Sequence, residues 1–105
     1  MITLTQEQKK HIKSIGHHLK PVLIVAENGL TEGVMAELER ALNDHELIKV
    51  QFRITERDDR LALINELCKN GSGELVQVIG KMALVYRKNS KPNKNLSNIS
   101  RFKAF

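Results

Sequence analysis

The sequence predicts an α/β domain, with one four-stranded sheet packed against three helices in the order α-β-α-β-α-β-β. Three observations lead there. Apolar residues recur at helical spacing in three segments, carried by Ile12, Ile15 and Leu19, by Val34, Leu38, Ala41 and Leu42, and by Leu61, Ile64, Leu67 and Cys68. Between these segments lie extended patterns, the apolar run Val22–Val25 and the alternating "ELIKVQFRI". The closing "ELVQVIGKMALVYRK" reads as two strands about a tight turn. Such elements stack into two or three layers around one sheet. At 105 residues the chain is long enough for one modest core.

In chain order, Thr5 with Gln8 forms a capping-box pattern that starts a helix over 6–15, stopped near Gly16. "HHLKP" connects it to a strand at Val22–Val25, whose continuous apolar run predicts burial on both faces. The loop Ala26-Glu27-Asn28-Gly29 follows, and Thr31 is the expected N-cap of the second helix. In "ELIKVQFRI", Ile48, Val50, Phe52 and Ile54 share one face and Lys49, Gln51 and Arg53 the other. A third helix covers 57–69 and ends at "NGSG". Gly80-Lys81, glycine first, fits a type II′ hairpin.

Charge divides the chain. The net charge is +5, yet residues 87–105 alone carry +6 with no acid, leaving the rest at −1. Residues 1–88 are therefore expected to form the domain. Residues 89–105, rich in Asn, Ser and Lys and poor in apolar side chains, are expected to be a flexible basic tail. Within the body, Lys9, Lys10, Lys13 and Lys20 face Glu7 alone in residues 1–26, whereas 27–46 hold six acids against Arg40. This polarity suits a polyanionic partner. No run is apolar enough to span a bilayer and no export signal opens the chain, so a cytoplasmic protein without membrane contact is expected. The single cysteine agrees with a reducing compartment.

The loop after the first strand is the candidate site. Gly29 and Gly33 flank a helix start, where backbone N–H groups point outward at the positive end of the helix dipole. Neither a Walker loop nor a dinucleotide fingerprint is present, and Glu27 and Glu32 stand where they would repel phosphate. His11, His17, His18 and His45 lack the spacing of a metal site. Cys68 lies on an apolar stripe without a histidine nearby in sequence, as a small core residue does. No catalytic set, metal or cofactor is therefore expected. Aromatic residues are few and Trp is absent, so a nucleic acid would be held through phosphates and shape rather than on an aromatic platform.

"LKPVLIVAENGLTEGVMAELERALNDHELIKV", followed by "GELVQVIGKMALVYRK", resembles the CRM domain (chloroplast RNA splicing and ribosome maturation) in its bacterial stand-alone YhbY-type form. The resemblance spans about residues 3–88. It implies a fold similar to the C-terminal domain of translation initiation factor 3. It also implies binding to the rRNA of precursor large ribosomal subunits; a monomer with ribosomal proteins among its partners is the expected assembly. The family's GxxG loop, similar to that of KH domains, corresponds to Ala26-Glu27-Asn28-Gly29, with Ala26 in place of the first glycine. The expected RNA-binding residues are Lys20, Ala26, Glu27, Asn28, Gly29, Thr31, Gly33, Lys81, Arg87 and Lys88. The alternative class is a protein-interaction module that docks on ribosomal proteins or assembly factors through acidic segment 27–46.

Overall fold

A computed structural model of the chain describes residues 4–102. Lys103 and Phe105, counted above with the tail, lie outside the described residues. The elements are α1 (Gln6–Gly16), β1 (Pro21–Val25), α2 (Glu32–His45), β2 (Leu47–Phe52), α3 (Arg57–Asn70), β3 (Glu74–Ile79), β4 (Met82–Tyr86) and α4 (Asn98–Arg101). The strands form one sheet in the order β1-β2-β4-β3. β1 runs parallel to β2, and β2–β4 and β4–β3 are antiparallel. The expected α-β-α-β-α-β-β order holds, with a fourth short helix added.

The local signals act as their chemistry predicts. Thr5 accepts from the Gln8 amide while the Gln8 side chain accepts from the Thr5 amide, closing the capping box of α1. Thr31 caps α2 by accepting from Val34 N at 3.2 Å. At the hairpin Gly80 alone has a positive φ, 57°, as a type II′ turn with glycine first requires.

The two faces of the sheet are covered unequally. On one, Leu23, Val25, Ile48, Val50, Phe52, Ala83 and Val85 pack beneath Leu38 and Leu42 of α2 and Ile64, Leu67 and Cys68 of α3. On the other, Leu47, Val76, Leu84 and Tyr86 meet Ile12 and Ile15 of α1, Leu4, and Ile99 of α4. The sheet thus lies between two helical layers. Gly16 sets the approach of α1, because a β-carbon there would collide with the Leu84 side chain. That contact holds the end of α1 over β4, and the outer half of this face stays bare.

Two expectations need correction. β1 is not buried on both faces, since Val22 is 47% and Ile24 44% exposed. A short apolar run has no period that could report its second face, and α1 ends at Gly16, against Leu84 of β4. Nor does the tail hang free. Ser97, Asn98 and Ile99 are buried, and their polar groups find partners in the body. Ser97 Oγ donates to Glu46 Oε1 at 2.7 Å, Asn89 N donates to Glu46 Oε2 at 2.8 Å, and Asn98 Nδ2 donates to Leu47 O at 2.6 Å. His45 Nδ1 lies 2.9 Å from Leu96 O. The docking point is Glu46, the residue after α2, which turns the chain at φ 59° and whose own carbonyl accepts from Arg87 N at 2.9 Å. A non-glycine residue in that region carries strain, which these bonds hold in place.

Ser97 both caps α4 and satisfies a buried carboxylate. Ser97→Ala is therefore expected to destabilise the domain by about 1–2 kcal/mol, lowering the melting temperature by about 4–8 °C per kcal/mol. Ser90→Ala, at an exposed position, should leave it unchanged. Coincident melting curves for the two variants would mean that the tail does not dock in solution.

Candidate nucleic-acid interface

The loop after β1 is a tight turn. Gly29 N donates to Ala26 O at 2.9 Å, and Thr31 N donates to Gly29 O at 3.1 Å. Gly29 sits at φ 73°, and a β-carbon there would meet nothing nearer than Leu63 Cδ2 at 4.0 Å. Backbone conformation, rather than space, therefore selects glycine. Gly33, in the first turn of α2, has open space around it, with Thr31 Oγ1 the nearest atom at 3.9 Å. With Thr31 satisfying Val34 N, the amides of Glu32 and Gly33 remain first-turn donors without an intrahelical acceptor. Glu27, Asn28, Glu32 and Gly33 are exposed and Ala26 is half-buried. The loop thus offers backbone donors and flanks them with two carboxylates.

Sheet register decides which cations stand near the loop. Phe52 N donates to Lys81 O at 2.7 Å, tying the β3–β4 hairpin to the end of β2. Arg53 N donates to Val25 O at 2.7 Å, fixing Arg53 at the entrance to the loop. Lys81 and Arg53 are both exposed. The loop, the start of α2, Arg53 and Lys81 therefore share the edge of the sheet at the C-terminal ends of β1 and β2.

Lys20, Arg87 and Lys88 lie at the opposite edge, where β1 and β2 begin and β4 ends. Lys20 and Lys88 are exposed. Arg87 is committed to the protein itself. Its Nη1 donates to Glu39 Oε2 at 2.7 Å and to Gly71 O at 3.0 Å, and its Nη2 donates to Asn43 Oδ1 at 2.9 Å. The same guanidinium, chiefly through its hydrogen bond, holds the Glu39 carboxyl below its ordinary value of 4.5. Sequence reasoning thus grouped cations that the fold separates, and it omitted Arg53. Arg53 was visible as an outward residue of the alternating strand, but its position beside the loop follows only from the β1–β2 pairing.

Other reactive groups are quiet. Cys68 is buried, and desolvation pushes its thiol up to about 11, far from a nucleophile's range. Tyr86 is also pushed up, first by burial and then by Glu46 and Glu74. His17 and His18 are exposed. Among the described residues no three His, Cys, Asp or Glu side chains gather as metal ligands, and no helix is long and apolar enough to cross a membrane.

Against this geometry, the family model of the CRS1 / YhbY (CRM) domain matches residues 4–87. The chain belongs to the CRM domain family. Among CRM relatives, a probable RNA-binding protein of Pseudomonas aeruginosa is 79% identical over 101 residues, covering 96% of this chain and 97% of its own. A probable RNA-binding protein of Bacillus subtilis is 34% identical over 93 residues, covering 89% and 96% respectively. The solution structure of a Staphylococcus aureus protein, a candidate RNA binder, superposes with a TM-score of 0.75 at 33% identity, over 90% of this chain and 97% of that one. The CRM match closes at Arg87, the residue that ties β4 to α2 and to the turn after α3.

Arg87→Met would leave Gly71 O and Asn43 without their donor, at an expected cost of about 1–3 kcal/mol. Glu39→Gln should cost less, since the Glu39 side chain is 58% exposed. Because Glu39 is held below its ordinary value, its share of stability is present above pH 4.5 and lost as the pH falls through the folded value. The gap between wild type and Arg87→Met in urea unfolding is therefore expected to narrow below pH 4.5. A gap constant with pH would remove the ion pair from the explanation.

Proposed function

We propose that this chain is a cytoplasmic, non-enzymatic RNA-binding factor that acts as a monomer on the rRNA of precursor large ribosomal subunits. Support for RNA as the ligand comes from the relatives, which bear that description, and from the CRM family itself. One observation carries the mechanism: a glycine turn, leading into the first-turn amides of Glu32 and Gly33, meets Arg53 and Lys81 at a single sheet edge. Such an edge grips phosphate oxygens through N–H groups and two cations. Ala26, Glu27, Asn28, Gly29, Thr31 and Gly33 build that grip, with Thr31 acting through the helix cap. Lys20 and Lys88 add charge at the far edge, and Arg87 acts as a structural clamp. The acidic-segment alternative is weaker than its sequence suggests. Of the six acids in 27–46, Glu46 is buried under the tail and Glu39 is paired with Arg87.

Each phosphate neutralised releases counterions, so affinity for rRNA should fall with salt at about 0.7–0.9 log units per contact per log unit of salt. Gly29→Asp keeps a residue that tolerates positive φ while adding charge among the donors. It is expected to weaken binding about tenfold with an unchanged circular dichroism spectrum, whereas Lys88→Ala should cost less. In a sucrose gradient the protein should migrate with large-subunit precursors at low salt and leave them as salt rises. Equal effects of the two substitutions would overturn the loop's role, and migration only at the top of the gradient would overturn the ribosomal assignment.

A further inference from the structure

The half of the sheet that α1 leaves bare has a defined composition. Across the strands, Ile24 pairs with Gln51, Gln51 with Met82 and Met82 with Ile79, so these four side chains stand in one row on the same face. At strand spacing the row is roughly 14 Å long. One step further from the loop, Lys49 pairs with Leu84 and Leu84 with Gln77. Ile24 and Ile79 are 44% and 42% exposed, and Gln51, Met82, Lys49 and Gln77 are half-buried.

Two depressions mark this face. One, of about 150 Å³, is lined by His17, Lys49, Gln77, Ile79, Met82 and Leu84. Gln77 Oε1 is buried there without a hydrogen-bond partner. The other, of about 160 Å³, has Lys20, Lys49 and Arg101 among its lining residues. No carboxylate lines either one. Each is about half the ~300 Å³ at which pockets for whole small molecules begin, a size that fits one ring system.

An apolar, amide-bearing surface with Lys20, Lys49 and Arg101 along it matches the chemistry of unpaired nucleotides. Bases need a flat apolar support and amide partners for their edges, and phosphates need cations. The face also joins the two edges described above. Ile24 adjoins the loop at Ala26, whereas Lys20 and Arg101 stand at the start of β1. We infer that a single-stranded segment of RNA runs across this bare half-sheet, from the Ala26–Gly29 loop toward Lys20. Its bases lie on Met82, Ile79 and Ile24, with Gln77 and Gln51 at their edges and Lys49 at the backbone. This reading rests on the proposed RNA binding and deepens it, because a polarisable methionine and two isoleucines take the place of the missing aromatic platform.

Methionine methyl resonances test it directly. The protein, labelled with ¹³C at the methionine methyls, is titrated with a single-stranded RNA oligonucleotide of mixed sequence and with a perfect duplex of equal length. Fluorescence anisotropy reports saturation in each case. The Met82 methyl should move upfield under the ring current of a stacked base with the single strand and stay in place with the duplex. Met35, packed against the opposite core, should move with neither. Lys49→Glu should weaken single-strand binding about tenfold, and Lys69→Glu, on an exposed site of α3, much less. Saturated single-strand binding with Met82 unmoved would overturn this inference and leave the loop-centred function standing. A Met82 shift produced equally by the duplex would also overturn it. Failure of both RNAs to bind would overturn the proposed function as well.

Discussion

The physical constraint behind this structure is coverage. A sheet of four strands, each five or six residues long, presents two faces, and each needs an apolar cover wherever it is to exclude water. Two helices of 14 residues, α2 and α3, cover most of one face, leaving Val78 at its edge exposed. The other has α1, with 11 residues, and α4, with four. A helix is about 10 Å across, whereas strands of this length run roughly 17–20 Å. One helix therefore covers about half of the face, and its position is set by the contact of Gly16 with Leu84. The bare half-sheet, the docked tail and the exposure of β1 all descend from that shortfall.

Tail docking shows how the chain partly closes the gap. Ile99 supplies apolar cover beside Leu47 and Tyr86, but the connection to it is polar and centres on one residue. Glu46 turns the backbone from α2 into the central strand at a positive φ, and its carboxylate receives Ser97 and Asn89. A buried carboxylate is costly without donors, so the tail and the turn stabilise each other. Arg87 performs a similar task on the opposite side, joining α2, the turn after α3 and the end of β4. The corner where β2 begins and β4 ends is thus built from charged groups, and it is not free to serve a ligand with all of its cations.

These arrangements were legible in the sequence to the extent that their partners were close in the chain. Thr5 with Gln8, Thr31 with Val34 and Gly80 with Lys81 are pairs within a turn or so, and their outcomes follow from local chemistry. The CRM resemblance implied the overall fold, whereas the strand order β1-β2-β4-β3 came only with the structure. Ser97 and Glu46 are 51 residues apart, and a polar, lysine-rich segment has no periodicity to announce that three of its residues are buried. The exposed face of β1 was hidden for a related reason. Val22–Val25 has no alternation, and the length of α1 becomes informative only once the sheet's dimensions are known. At the site, the loop could be chosen from its strand–glycine–helix pattern and Lys81 through the family resemblance. Their separation from Lys20 and Lys88, and the presence of Arg53 beside them, depend on register.

Charge follows the same division as coverage. On α2 and α3 the carboxylates Glu32, Glu37, Glu39, Asp44, Asp58, Asp59 and Glu66 outnumber Arg40, Arg57, Arg60 and Lys69. The bare side of the sheet and its two edges hold Lys20, Lys49, Arg53, Lys81, Lys88 and Arg101, against Glu27 in the loop. A body whose net charge is close to zero therefore presents opposite signs on opposite sides, and such a field orients a polyanion before contact. The cations on the bare side stand around uncovered apolar side chains, where water is displaced at little cost and charge–phosphate contacts gain strength from the lower local dielectric. An incomplete hydrophobic cover and a one-sided field reinforce each other at the same place, which explains why a short first helix need not be a defect of this fold.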